Sequence, residues 1–258
     1  MARISERVKI DADLLEVTSA QTDQTVMLDY SGVTNGAFVV NIFSTAGLSS
    51  GVTVDLMASS AIDSAGSSVA SLRVGPAASS AISASDGVRS VKLTMSSATT
   101  TGNSFRFGLG SNYRTFSYTT STALLASNAW TTVVYYGSTV GSTVDTGLQL
   151  TADSLKAALQ STRNFGSVLN LTTDTTASLV AELRDNVPGG LSFGTTVSDV
   201  PACAVLRAVG IFDVDEADVD ARYIGLRCST ASTVVKMSVV GLRDGSYLPF
   251  DQIAAVAS

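Results

Sequence analysis

Apolar and polar residues alternate along most of this chain, and one helical stretch interrupts them. In Val52-Thr53-Val54-Asp55-Leu56 the alternation is strict, the period-2 signature of a half-buried strand. From about Leu15 the run "LLEVTSAQTDQTVMLDYSG" reads the same way, followed by "GAFVVNIFST" and "GVTVDLMASS". Gly32, Gly36, Gly47 and Gly51 separate these runs at hairpin-like intervals. The small-residue stretch "SSAIDSAGSSVASLRVGPAASSAISASDG" predicts strands joined by long loops, and "VRSVKLTM" a further strand. Residues 1–14 carry charges throughout and read as an arm.

The middle changes character. "SFRFGLG", "RTFSYTT" and "AWTTVVYYG" predict strands and hold Phe105, Phe107, Phe116, Tyr118, Trp130, Tyr135 and Tyr136. "TADSLKAALQSTRNFG" predicts a helix, with Thr151 as N-cap, Asp153 at its positive end and Gly166 at its exit. Leu155, Ala158, Leu159 and Thr162 share one face of it. "SVLNLTT" and "SLVAELR" return to strand before the turn signal "DNVPGG".

The tail is again β. "PACAVLRAVGIF" and "ARYIGLRCS" alternate, and "TVVKMSVVGL" follows after "STAST". Ile224, Leu226 and Cys228 fall on one strand face, and a hairpin bringing Val235, Met237 and Val239 to the same core is the natural continuation. No fixed-period repeat exists. The simplest layout is a mainly β protein: a β-sandwich from residues 15–100 and 190–250, a small α+β subdomain inserted at 101–189, and a C-terminal tail at 251–258. Two sequential β domains fit the same pattern.

Composition sharpens this picture. Charged residues are 15% of the 258, while Ser and Thr make up roughly a quarter, so hydroxyls keep much of the surface wet. A net charge of −6 without any run of Lys and Arg argues against nucleic acid, whose binding needs a basic face to displace counterions. The N-terminus lacks the apolar segment of a signal peptide, and no apolar run approaches the ~20 residues of a membrane span. A soluble protein made in the cytoplasm is expected, and the sequon at Asn170 is read as incidental. Cys203 and Cys228 lie in apolar strand-like surroundings and outside any C-x-x-C pair, so buried free thiols are expected, with a disulfide left open.

The absence of histidine removes the commonest general base, the Ser-His-Asp triad and every His-ligated metal site. Among the four lysines, Lys156 on the helix and Lys236 on an outward strand position are poor candidates for a Ser-Lys pair. Glu is limited to Glu6, Glu16, Glu182 and Glu216, and there is one tryptophan, a thin basis for a glycosidase. Gly108 to Gly110 lacks the third glycine of a dinucleotide fingerprint. No enzyme activity and no cofactor are expected.

One charged cluster stands out: Asp213, Asp215, Glu216, Asp218 and Asp220 fall within eight residues. An EF-hand register starting at Asp213 puts Ala217 at position five, Asp218 where glycine is needed and Ile224 at position twelve. That reading fails. A calcium site without this register stays open, but like charges repel and favour an exposed bend, with Val214 and Val219 as apolar anchors. If it meets another chain, arginines are the complement.

Both ends of the chain resemble the capsid decoration, or cement, proteins of tailed bacteriophages. The resemblance rests on Ala20-Gln21 before a Thr-containing turn, the Leu28-Asp29 strand, the "RYIGL" strand from Arg222 to Leu226, and the apolar strand from Val234 to Val240. It implies a jelly-roll-like β-sandwich on the capsid surface of a virion, as a homotrimer whose partner is the major capsid protein. The 101–189 segment departs from compact members of that family. Arg3, Arg7 and Lys9 of the arm, and the five acids at 213–220, are the expected interface residues. The alternatives are another phage structural component, of tail or neck, and a carbohydrate-binding β-sandwich module, for which the aromatic cluster at 105–136 is the discriminating feature.

Overall fold

The strict alternation at Val52–Leu56 is realised as a strand that is buried at Val52, Val54 and Leu56 and exposed at Thr53. The computed structural model describes residues 8–17, 22–24, 27–30, 35–95, 103–110, 112–119, 131–135, 144–162, 165–173, 177–195, 201–215, 221–229 and 235–244. Its strands are, in order, β1 (Val8–Val17), β2 (Thr22–Gln24), β3 (Leu28–Asp29), β4 (Asn35–Leu48), β5 (Val52–Ser59), β6 (Ser67–Val74), β7 (Ala81–Ile82) and β8 (Val88–Thr94). There follow β9 (Ser104–Leu109), β10 (Asn112–Thr119), β11 (Thr131–Tyr135) and the helix α1 (Val144–Ser161). The chain ends with β12 (Leu169–Thr173), β13 (Ser178–Leu183), β14 (Leu191–Thr195), β15 (Ala202–Asp215), β16 (Tyr223–Ser229) and β17 (Val235–Asp244). The protein is mainly β.

Two compact units divide the chain. The first is Met1–Phe43, Val52–Val74 and Val209–Ser258; the second is Ser44–Gly51 and Gly75–Ala208. The second unit thus holds all of 101–189, together with 44–51, 75–100 and 190–208. β4 and β15 each contribute residues to both.

In the first unit, β17 pairs antiparallel with β1 on one side, Val8 opposite Asp244 through Val17 opposite Val235, and with β4 on the other. Residues 8–14, read from sequence as part of an arm, therefore belong largely to a ten-residue strand. A second sheet runs β2-β16-β5-β6, with β3 also on β16. Ile224, Leu226 and Cys228 are buried as their spacing predicts, opposite Ala58, Leu56 and Val54 of β5. Each such side chain taken from water contributes about 1.5–3 kcal/mol.

The predicted β16–β17 hairpin does not form. The neighbours of β16 are β2, β3 and β5, whereas those of β17 are β1 and β4 in the other sheet. Val235 and Met237 are nevertheless fully buried. An apolar strand that can bury its face from either side of a core carries no local signal for which sheet it joins.

The second unit pairs β8 with β15 and β13, and β13 with β12, all antiparallel. Its other sheet, β11-β10-β9-β14-β7, is antiparallel except for the β10–β11 pair. The helix lies against β11, β12 and β13. It starts at Val144, seven residues before the predicted N-cap, so Thr151 is an interior helical residue and is buried. Val144, Thr146 and Gly147 in its first turn are weak helix formers, which hid the true start. Of the predicted face, Leu155, Leu159 and Thr162 are buried and Ala158 is half-buried, while Ala152, outside that prediction, is buried too.

Candidate functional site

The acidic stretch begins as strand, not as bend. β15 continues to Asp215, with Phe212 and Val214 buried and Ile211 and Asp213, alternating with them, exposed. Glu216, Asp218 and Asp220 lie outside the described residues, as do Arg3 and Arg7 of the arm. Lys9 is on β1, opposite Arg243. Among the described residues, no three Cys, Asp or Glu side chains gather closely enough to hold a metal ion.

Both ends of the acidic segment are tied to one residue. Tyr30, immediately after β3 and 6% exposed, donates its hydroxyl to the Val214 carbonyl at 3.0 Å. Its backbone N–H donates to the Arg222 carbonyl at 2.7 Å. Val214 and Arg222, which flank most of the acidic residues, are therefore both hydrogen-bonded to Tyr30. A buried phenol needs a partner for its hydroxyl, and here that partner is 184 residues away.

Next to this clamp, β3 pairs with β16, placing Asp29 opposite Tyr223 and Leu28 opposite Ile224. The Arg222 guanidinium donates to Asp29 Oδ2 from Nη2 at 3.0 Å and from Nε at 3.3 Å. Its Cζ also lies 5.1 Å from the centroid of the Tyr223 ring. The hydrogen bond and charge of Asp29 hold the exposed guanidinium above its ordinary pKa. Arg222 is thus already engaged by Asp29.

On the outer face of the same sheet, a cross-strand row runs through Gln24, Arg227, Asp55 and Ser71. Arg227 Nη2 lies 2.9 Å from Asp55 Oδ2, and the Ser71 hydroxyl donates to Asp55 Oδ1. Burial raises the Asp55 carboxyl, but Ser71 and Arg227 more than offset it, so the group sits below its ordinary 3.8. The row ends on β6, the edge strand, where Ser67 to Ser71 are all exposed, uncharged and free of proline. Such an edge offers a row of backbone groups for pairing with another chain.

Lys236 is exposed between buried Val235 and Met237. Cys203 and Cys228 form no disulfide, and burial pushes the Cys203 thiol far above the ordinary thiol range. Phe105, Phe107, Phe116 and Tyr118 are buried, with Phe105 stacked on Phe116 at 5.3 Å between ring centroids. These rings form the core of the second unit and present no sugar-stacking surface; Trp130 and Tyr136 lie outside the described residues. Sequence reasoning passed over the role of Tyr30, because no local signal links it to residues 214 and 222.

No protein-family model, no curated protein and no solved structure matches this chain. No helix among the described residues is long and apolar enough to cross a membrane.

Proposed function

We propose that this protein is a virion structural protein: a decoration protein that binds the assembled shell of a tailed bacteriophage and stabilises it through added contacts between major capsid subunits. The observation that carries the reading is the pairing of β3 with β16. Leu28-Asp29 and Arg222–Leu226 are two of the segments on which the family resemblance rests, and they lie almost the whole chain apart. They meet as adjacent strands, joined by the Arg222–Asp29 ion pair and the Tyr30 clamp. The acids between Val214 and Arg222 are the residues offered to arginines of a capsid subunit, and the open β6 edge suits contact between copies in a trimer. Ligation selective for the expanded shell stabilises it by mass action.

The test mixes the purified protein with expanded shells assembled from the major capsid protein of the same genome. Saturable co-sedimentation and a higher shell melting temperature are expected, and failure to bind expanded shells sinks the proposal. Arg3 and Arg7 are tested by deleting residues 1–7, which spares β1. Lower shell occupancy is expected from the truncated protein, and undiminished occupancy removes the arm from the interface.

A further inference from the structure

The five-stranded sheet of the second unit has a face that its aromatic core does not use. Phe105 and Phe107 on β9, Phe116 on β10 and Phe193 on β14 are buried on one side. The intervening positions, on the opposite side, are Arg106 and Gly108 on β9, Tyr113 and Thr115 on β10, and Ser192 and Gly194 on β14. In register, Arg106 stands between Thr115 and Gly194, with Ala81 of β7 beyond Gly194. Gly108 stands between Tyr113 and Ser192. Two large side chains thus rise from a floor of small ones.

Tyr113 is 54% exposed, and Arg106 Cζ lies 5.2 Å from the centroid of its ring. A Cβ at Gly194 would meet nothing within 4 Å, so the floor beside Arg106 is open. A Cβ at Gly108 would collide with the Asn112 and Tyr113 backbone, so only glycine lets the Tyr113 strand approach this closely. Ser192 Oγ is buried in this floor without a hydrogen-bond partner. Arg207, Arg222 and Arg227 all pair with carboxylates. Among the described residues Arg106 has none within ion-pair distance; the Tyr113 ring is its recorded partner.

We infer that this face is a binding platform for a saccharide bearing a carboxylate, such as a uronic or sialic acid unit, with Tyr113 and Arg106 as its principal contacts. The apolar C–H face of a sugar ring stacks on an exposed phenol, and the guanidinium fork matches a planar carboxylate. Tyr113 beside Arg106 sets an apolar ring next to a charged fork, which matches a ring-shaped ligand carrying its own carboxylate better than a free anion or an acidic peptide. The platform would work whether or not the protein sits on a capsid.

The intact protein is applied to arrayed oligosaccharides carrying uronic or sialic acids, to the same sugars with the carboxyl reduced to an alcohol, and to Asp/Glu-rich peptides. Binding to the acidic sugars is expected, weaker by at least about tenfold once the carboxyl is reduced, as loss of one charged hydrogen-bonded pair implies. Arg106→Gln should erase that preference, and Tyr113→Ala should abolish binding to acidic and neutral forms alike. Both side chains are exposed, so both variants should melt as the parent does. Arg106→Lys, which keeps the charge and loses the fork, should bind at an intermediate level and covers the case in which Arg106→Gln misfolds. The inference is overturned if no acidic sugar binds, if reduced sugars bind equally well, if the peptides bind in preference, or if the Tyr113 and Arg106 variants bind like the parent.

Discussion

Replacing Tyr30 by Phe deletes a single buried hydroxyl and leaves its backbone link to Arg222 in place. The Val214 carbonyl then loses its donor at 3.0 Å in a site where the ring is 6% exposed. A buried acceptor left unsatisfied costs about 1–3 kcal/mol. At this chain size each kcal/mol shifts the melting midpoint by about 2–4 °C, so a value near 1.5 kcal/mol predicts a drop of about 3–6 °C. Urea unfolding measures the free energy, and amide exchange over residues 212–222 locates it. Exchange should accelerate about tenfold near Val214, because 1.4 kcal/mol is one decade in an equilibrium constant. It should change less at Arg222, whose carbonyl still receives the Tyr30 N–H. Equal acceleration at both ends, or a stability change below about 0.3 kcal/mol, far under the unsatisfied-acceptor cost, would refute the clamp. If the acids between Val214 and Arg222 are the shell contact, the same variant should also lose shell occupancy.

Other outcomes follow from the ion pairs and turns. A carboxyl held below its unfolded pKa stabilises the fold fully above that pKa and loses its contribution as pH falls through the folded value. Asp55, depressed below 3.8, should therefore make the parent more stable than Asp55→Asn at pH 6, with the gap closing below pH 3.8 in urea titrations. Arg89 is 8% exposed and donates to the carbonyls of Val187, Gly189 and Arg184 at 2.6, 2.7 and 2.8 Å. Arg89→Met removes the donor from the Val187 and Gly189 carbonyls, while that of Arg184 keeps the Val187 N–H, and should cost about 2–4 kcal/mol in unfolding experiments; a neutral result would show that the 184–190 turn holds itself. Gly108→Ala should destabilise the β9–β10 hairpin by about 1–3 kcal/mol, as overpacking against backbone does, with the loss read as a lower melting midpoint.

Local pattern by itself determined the class of this protein and the inward faces of many strands. Period-2 alternation marked Val52–Leu56 and Ile224–Cys228, and period 3.6 marked Leu155, Leu159 and Thr162, because burial on one side of an element imprints its repeat on the sequence. Absence was equally legible: a chain without histidine has no Ser-His-Asp triad and no His-ligated metal site. The acidic stretch was visible for the same reason, as charge density is a local property. Tertiary structure alone decided which strands pair. β16 and β17 are neighbours in sequence but belong to different sheets, since a buried apolar face is satisfied by either side of a core. The first turn of α1 went unseen because Val144, Thr146 and Gly147 are weak helix formers and give no local helix signal. Tyr30, Asp29 and Arg222 became a clamp only when the fold closed nearly two hundred residues of chain. Tyr113 and Arg106 became a platform because sheet register turned them away from the four phenylalanines that occupy the core.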